Sequence, residues 1–292
     1  TRAEAFLYCV KQDMAGPPVA LPSSLDAVER DTLPMRVIRA RGDTMLIPRL
    51  SQASETMAAC LRGVGYKAES LGVPGRDALR AGRRHTSGKE CIPMTLLLGA
   101  FLERVRQAPP GERFAVVMPT ANGPCRFGVY HLLQKIVVER LDLKERVSLW
   151  SPSDADYFDE AGRGFGALGF AGSMAGDVIE QGFREARLAS PARAREIRDR
   201  YFAELIALLE SAGRGGLTVA RAIRETATRR AFGLTALVRR AAAEFAALPP
   251  DTDRPRILVV GEIYVRCDPF SSDELIRRLE DRGLRVRFAP VS

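Results

Sequence analysis

The sequence reads as an α/β protein built on mostly parallel sheet. Three observations lead there. Short apolar segments of strand length, such as Phe114-Ala-Val-Val-Met118 and Arg256-Ile-Leu-Val-Val260, recur along the chain. Segments with apolar residues at helical spacing follow them, and alternation of the two types is the pattern of parallel strands joined by crossover helices. Apolar residues fill 46% of the 292 positions, enough for a core that needs no covalent staples.

Residues 44–47 form the first expected strand. A helix follows over 52–62, ended by Gly63 and Gly65, and 66–71 is the next strand. The Gly- and Pro-containing stretch after it reads as a loop. A helix spans 92–107, with Pro93 in its first turn, where a missing N–H costs nothing. Residues 114–118 are a buried-type strand and 119–126 a loop. Residues 128–141 form a helix with Val129, Leu132, Leu133, Ile136 and Val137 on one face, and 147–150 the next strand. Near the end, 256–260 is a strand. Ser271 or Ser272 caps a helix with Asp273 and Glu274 in its first turn. Gly283 closes that helix, and 284–288 is a last strand. Between these regions the chain is rich in Ala and Arg and helical over 191–248, closed by Pro249 and Pro250. The expected division is a domain over 1–150 and a second over 151–292 that carries a helical segment within 178–248. Thr1 is not an initiator methionine and the chain stops just after a strand-like segment, so it reads as a fragment of a longer protein, truncated at the C-terminus.

The net charge is +8, from 44 basic and 36 acidic residues. It permits polyanionic partners. The arginines are spread through helical segments without interleaved aromatics, however, so a solvated surface is the simpler reading and nucleic acid is not expected. The longest apolar run, 94–101, is far short of the ~20 residues that cross a bilayer. No membrane span or signal peptide is expected. Cys9, Cys60, Cys91, Cys125 and Cys267 are odd in number and scattered. That argues against a disulfide framework and for a reducing, cytoplasmic setting.

In open α/β sheets, ligands bind beyond the carboxyl ends of the strands. Cys125 falls in the loop after the 114–118 strand, and Cys91 opens the 92–107 helix. The partial positive charge at a helix start favours the thiolate, the form that binds metal. Lys89 and Arg126 add positive charge beside the two sulfurs, and Gly123-Pro124 stiffen the approach to Cys125. A lone cysteine is more often a small buried hydrophobe, and Cys60, among Met57, Ala58, Ala59 and Leu61, fits that description. No paired CxxC zinc pattern is present. His85 and His131 read as surface or packing residues. His131 would have to turn back toward its helix start to serve Cys125 as a base, so a cysteine hydrolase is disfavoured. Gly164-x-Gly166-x-x-Gly169 matches a dinucleotide fingerprint in form, but polar and acidic residues precede it where a strand is required. It reads as a flexible loop.

Three segments carry a resemblance to a known family. Thr86-Ser-Gly-Lys-Glu-Cys91-Ile-Pro93, Asn122-Gly-Pro-Cys125-Arg-Phe-Gly128-Val-Tyr130, and Gly261-Glu-Ile-Tyr-Val-Arg266 with Asp268-Pro-Phe270 resemble, in order, motifs of the 2-hydroxyacyl-CoA dehydratases and their large activator relatives. The resemblance implies two flavodoxin-like parallel-sheet domains with a helical insertion and an iron–sulfur cluster of the 4Fe–4S type. An ATP-dependent activator module would supply low-potential electrons, and a CoA thioester is the implied substrate class. A homo- or heterodimer is expected. Cys91 and Cys125 match the family's cysteine ligands. Glu90, Arg126 and Glu262 match positions that support the cluster or substrate. Cys267 stands where the pattern does not require cysteine, yet it follows the 256–260 strand on what the sequence suggests is the same sheet edge, making it a possible third ligand. A cubane wants about four ligands. No glycine-rich ATPase loop is present, so ATP binding belongs to a partner. Two other readings stay open: a cluster-free module that binds a nucleotide or other polyanion, and a thiol redox sensor using Cys91 and Cys125.

Overall fold

The structure, a computed structural model, describes residues 33–121, 125–152, 159–162, 164–249 and 254–288. Cys9, the tripeptide 122–124 and residue 153 at the expected domain boundary lie outside them.

The first half is a run of alternating elements: α1 (Met35–Arg41), β1 (Thr44–Ile47), α2 (Ala53–Gly63), β2 (Lys67–Ser70), α3 (Arg76–Arg83), α4 (Ile92–Gln107), β3 (Phe114–Val117), α5 (Tyr130–Arg140) and β4 (Val147–Trp150). The four strands are all parallel, in the order β2-β1-β3-β4. Strand side chains alternate between faces. Met45, Ile47, Ala115, Val117 and Trp150 join Ala58, Ala59 and Leu61 of α2 on one side. Leu46, Phe114, Val116, Val147 and Leu149 join Leu98, Phe101 and Val105 of α4 and Val137 and Val138 of α5 on the other. Burying both faces explains why β3 is apolar at every position. Each large side chain sealed this way contributes about 1.5–3 kcal/mol before entropy is counted. The sheet therefore carries the expected α/β architecture, doubly wound, with its switch between β1 and β3.

In this half two helices, α1 and α3, are not among the expected elements. Residues 76–83 are helical, not a loop: α3 lies against α4 because Gly82 and Gly99 leave no side chain between them. A Cβ on Gly99 would stand 1.7 Å from the Ala78 carbonyl oxygen.

The helical half, α6 (Phe165–Ala186), α7 (Pro191–Arg214), α8 (Val219–Ala227) and α9 (Leu234–Ala246), shares its core with the sheet. Leu168, Ile179, Leu205, Leu209, Leu237 and Phe245 pack in the same cluster as α2. The Gly164–Gly169 stretch, expected to be a flexible loop, is the start of α6. Its small residues fit packing: a Cβ on Gly172, one turn further, would meet Leu209 at 2.8 Å.

The remaining strands, β5 (Arg256–Val259) and β6 (Arg285–Phe288), pair in parallel with each other as a separate two-stranded sheet. Between them lie α10 (Ile263–Cys267) and α11 (Leu275–Glu280). Among the described residues this second sheet has two strands only, so the 256–260 strand does not extend the first sheet's edge. Neither Ser271 nor Ser272 caps α11. The Asp268 carboxylate accepts from both the amide and the hydroxyl of Ser271, and the Ser272 hydroxyl donates to the Asp268 carbonyl at 2.9 Å. The chain makes a tight turn first, with Asp273 and Glu274 at φ 53° and 57°, and the helix starts only at Leu275.

Candidate functional site

Topology brings the first two motifs together. Helix α4 precedes β3 and runs back across the parallel sheet, so its N-terminus lies at the carboxyl edge, where β3 ends. Cys91 immediately precedes α4 in extended conformation, with Pro93 in the first turn. Cys125 immediately precedes a single 3-10 turn, Arg126–Val129, that leads into α5. Gly128 is required in that turn, since a Cβ there would sit 2.4 Å from the Ala121 carbonyl oxygen. Arg126 ties the two loops: its guanidinium donates to the Lys89 carbonyl at 2.5 Å. Sequence reasoning placed this arginine as a support for the site, and its observed contact is to the loop that carries Cys91.

Tyr130, the first residue of α5, stands at the centre. Its hydroxyl is 2.7 Å from the Cys91 sulfur. Phe127 meets its ring edge-on, with centroids 5.5 Å apart. Around it pack Met94, Leu96, Leu97, Met118 and Tyr264, with Cys91, Phe127 and Phe270 at the margin. Burial holds the Tyr130 phenol well above its ordinary range, reinforced by the Cys91 hydrogen bond and by the negative charges of Cys91, Cys125 and Glu262. A phenol that keeps its proton is a fixed donor toward a thiolate. Cys91 is partly buried and Cys125 exposed, so the pair opens to solvent on the Cys125 side.

The third motif arrives from the other sheet. Tyr264 of α10 is buried in the Tyr130 cluster. Its hydroxyl has no hydrogen-bond partner among the described residues. Burial, then the charges of Asp268 and Glu262, raise its pKa. Glu262 caps α10 by accepting from the Val265 amide at 2.7 Å. Glu90 shapes its own loop: it accepts from the Ser87 amide and hydroxyl, each at 3.1 Å, and the Ser87 amide leads the contacts that draw its carboxyl below the usual range.

Cys267 has different surroundings. It lines a cleft of about 320 Å³ with Arg184, Arg187, Arg266 and Arg277. Burial raises its thiol, opposed by Arg184 and Arg266. Cys60 is fully buried in the core, as expected, and pushed up to about 12. Among the described residues no three His, Cys, Asp or Glu side chains are grouped so as to hold a metal ion.

Sequence reasoning missed the two tyrosines, although both stand inside motif segments it had singled out. Nothing in their spacing places Tyr130 and Tyr264 together; only the cluster that buries both does.

Comparison of the chain with protein-family models, with curated proteins and with solved structures finds no match. Among the described residues no helix is long and apolar enough to cross a membrane.

Proposed function

We propose that the recess around Tyr130 is a thiolate site for an iron–sulfur cluster, and that the chain is the electron-carrying module of a low-potential reductase of the 2-hydroxyacyl-CoA dehydratase or activator kind. The observation that carries this reading is convergence. Three loops separated by tens to more than a hundred residues meet at one phenol, with Cys91 on its hydroxyl and Cys125 and Glu262 close enough to bias its proton.

The residues fit such a group in part. Cys91 and Cys125 would hold it. Tyr130 supplies a hydroxyl hydrogen bond to the first sulfur, and Tyr264 brings a buried donor with no other use. Hydrogen bonds to cluster sulfurs raise the reduction potential and shield the ligands. When bound, the cluster would supply one-electron chemistry. Two thiolates fall short of the four ligands a cubane takes, so other positions belong to substrate, water, undescribed residues or a second chain. In this reading the electrons come from an ATP-dependent activator and pass toward a CoA thioester, and the chain works as a homo- or heterodimer in a reducing, cytoplasmic setting.

Anaerobic reconstitution with ferrous iron and sulfide tests the reading. Expected are iron and acid-labile sulfide bound to the chain, a Mössbauer doublet of sulfur-ligated iron, and loss of both in Cys91→Ser and Cys125→Ser but not in Cys60→Ser. A wild-type chain that takes up no iron, or one whose iron is indifferent to both substitutions, rejects it. A reversible Cys91–Cys125 disulfide in the iron-free protein would favour the thiol-sensor alternative instead.

A further inference from the structure

We propose that the cleft between α6 and the α10–α11 segment binds a phosphate dianion through Arg184 and Arg266. The site is independent of the thiol recess and needs no metal.

The argument is one of charge accounting. Four arginines and three glutamates line this cleft of about 320 Å³. The glutamates are already engaged. Glu280 pairs with Arg187, Glu274 pairs with Arg277 at 3.6 Å, and Glu180 accepts from Arg198, which lies outside the cleft, at 2.7 Å. Among the described residues that leaves Arg184 and Arg266 without a carboxylate at ion-pair distance; Arg266 meets only the Cys267 thiol by a side-chain hydrogen bond. Arg266 is 7% exposed, and its buried Nε has no hydrogen-bond partner among the described residues. Among the described residues the buried Nε of Arg187 also has no hydrogen-bond partner. Buried charges in proteins are ordinarily paired, because an uncompensated one costs several kcal/mol. A buried Arg266 with a free Nε, beside a half-buried Arg184 that among the described residues has no carboxylate at ion-pair distance, therefore marks a place for an anion.

Geometry and charge narrow the class. The Arg184 guanidinium stacks on the Phe288 ring at 4.2 Å. Stacking fixes the plane of the fork and leaves its edges to bond an oxyanion in bidentate fashion. Asp177 and Glu180 bias Arg184 electrostatically, yet burial still leaves its pKa below the ordinary guanidinium value. The Cys267 thiol at the wall is raised by burial, opposed by Arg184 and by its hydrogen bond with Arg266. A phosphate monoester, at about −1.5 to −2 near neutral pH, offsets two guanidinium charges where a carboxylate would offset one.

Calorimetric titration and thermal melts of the full chain with inorganic phosphate, against acetate and chloride at matched ionic strength, test the proposal. Expected are saturable phosphate binding and a concentration-dependent rise in melting temperature that acetate and chloride do not reproduce. Arg184→Gln and Arg266→Gln should each weaken phosphate binding ~10-fold or more. Arg184→Gln should keep the wild-type circular dichroism spectrum and a cooperative melt in the absence of phosphate, because Arg184 is half-buried and gives up no ion pair at bonding distance among the described residues; loss of binding in that variant is then not loss of fold. Arg229→Gln, in a separate cleft lined by Arg221 and Phe232, should bind as wild type. No saturable binding, an equal response to acetate, or full binding by Arg184→Gln overturns the proposal.

Discussion

Gly99→Ala is the sharpest single probe of how this fold positions Cys91. The added Cβ would sit 1.7 Å from the Ala78 carbonyl oxygen and 2.9 Å from the Gly82 nitrogen, both backbone atoms of α3. Real Cβ contacts do not fall below 3.0 Å, so α3 and α4 must part by at least 1.3 Å. Overpacking of this kind costs about 1–3 kcal/mol, and the upper end applies because neither partner can rotate away. Alanine returns about 1 kcal/mol of helix propensity. The net is a loss of about 2 kcal/mol, or about 4–8 °C in melting temperature for a domain of this size. Circular dichroism melts measure it directly. Because Cys91 sits at the head of α4, the same shift should loosen its contact with Tyr130 and speed its alkylation, read by peptide mass. Gly166→Ala is the control. That glycine is also helical but has nothing within 4 Å of a built Cβ, so the substitution should be neutral or stabilising by up to about 1 kcal/mol. If Gly99→Ala melts at or above wild type, or tracks Gly166→Ala, the close α3–α4 approach does not position the site.

Tyr130→Phe should leave the fold intact and weaken iron retention about 10-fold, as loss of a hydrogen bond to a metal ligand commonly does; anaerobic chelator competition reads this, and unchanged retention would separate Tyr130 from the site. Cys60 makes stability pH-dependent in a defined direction. Its thiol is raised from 9.0 to about 12 in the folded chain, so its contribution is complete below pH 9 and is lost as pH climbs toward 12, by about 1.4 kcal/mol per pH unit. Urea denaturation on either side of pH 9 under reducing conditions should show the fall, shallower in Cys60→Val. Asp43→Asn should cost about 1–3 kcal/mol, since its buried carboxylate holds Arg113 at 2.9 Å and Arg41 at 3.1 Å and both arginines are only partly shielded. The residue lies at the amino edge of β1, opposite the thiols, so Cys91 alkylation should not change while chemical denaturation shifts.

The α/β alternation and the four strands of the first sheet were legible because β3 is apolar at every position and α2, α4 and α5 carry apolar residues at helical spacing. The placement of Cys91 and Cys125 at helix starts followed from Pro93 and from the loop after β3. Helix α3 was not legible: its Arg-rich sequence has few apolar positions, and its docking rests on two glycines whose role appears only when α4 is beside it. The Gly164–Gly169 stretch misled for a related reason: glycine in sequence signals freedom, yet a Cβ on Gly164 would sit 2.8 Å from the Leu217 carbonyl oxygen and one on Gly169 would meet Met57 at 3.3 Å. The start of α11 was missed because Asp268 captures the Ser271 amide and hydroxyl before a helix can use them.

By itself the sequence determined the four strands and helices α2, α4 and α5 of the first half, and that two cysteines stand where helices begin, because those properties depend on neighbours along the chain. The tertiary structure alone decided that Tyr130 meets the Cys91 sulfur, that Tyr264 joins it from another sheet, and that Cys267 faces arginines. Those are meetings between residues far apart in the chain, set by how glycine-lined helices and alternating strand faces close on one another, and spacing carries no record of them.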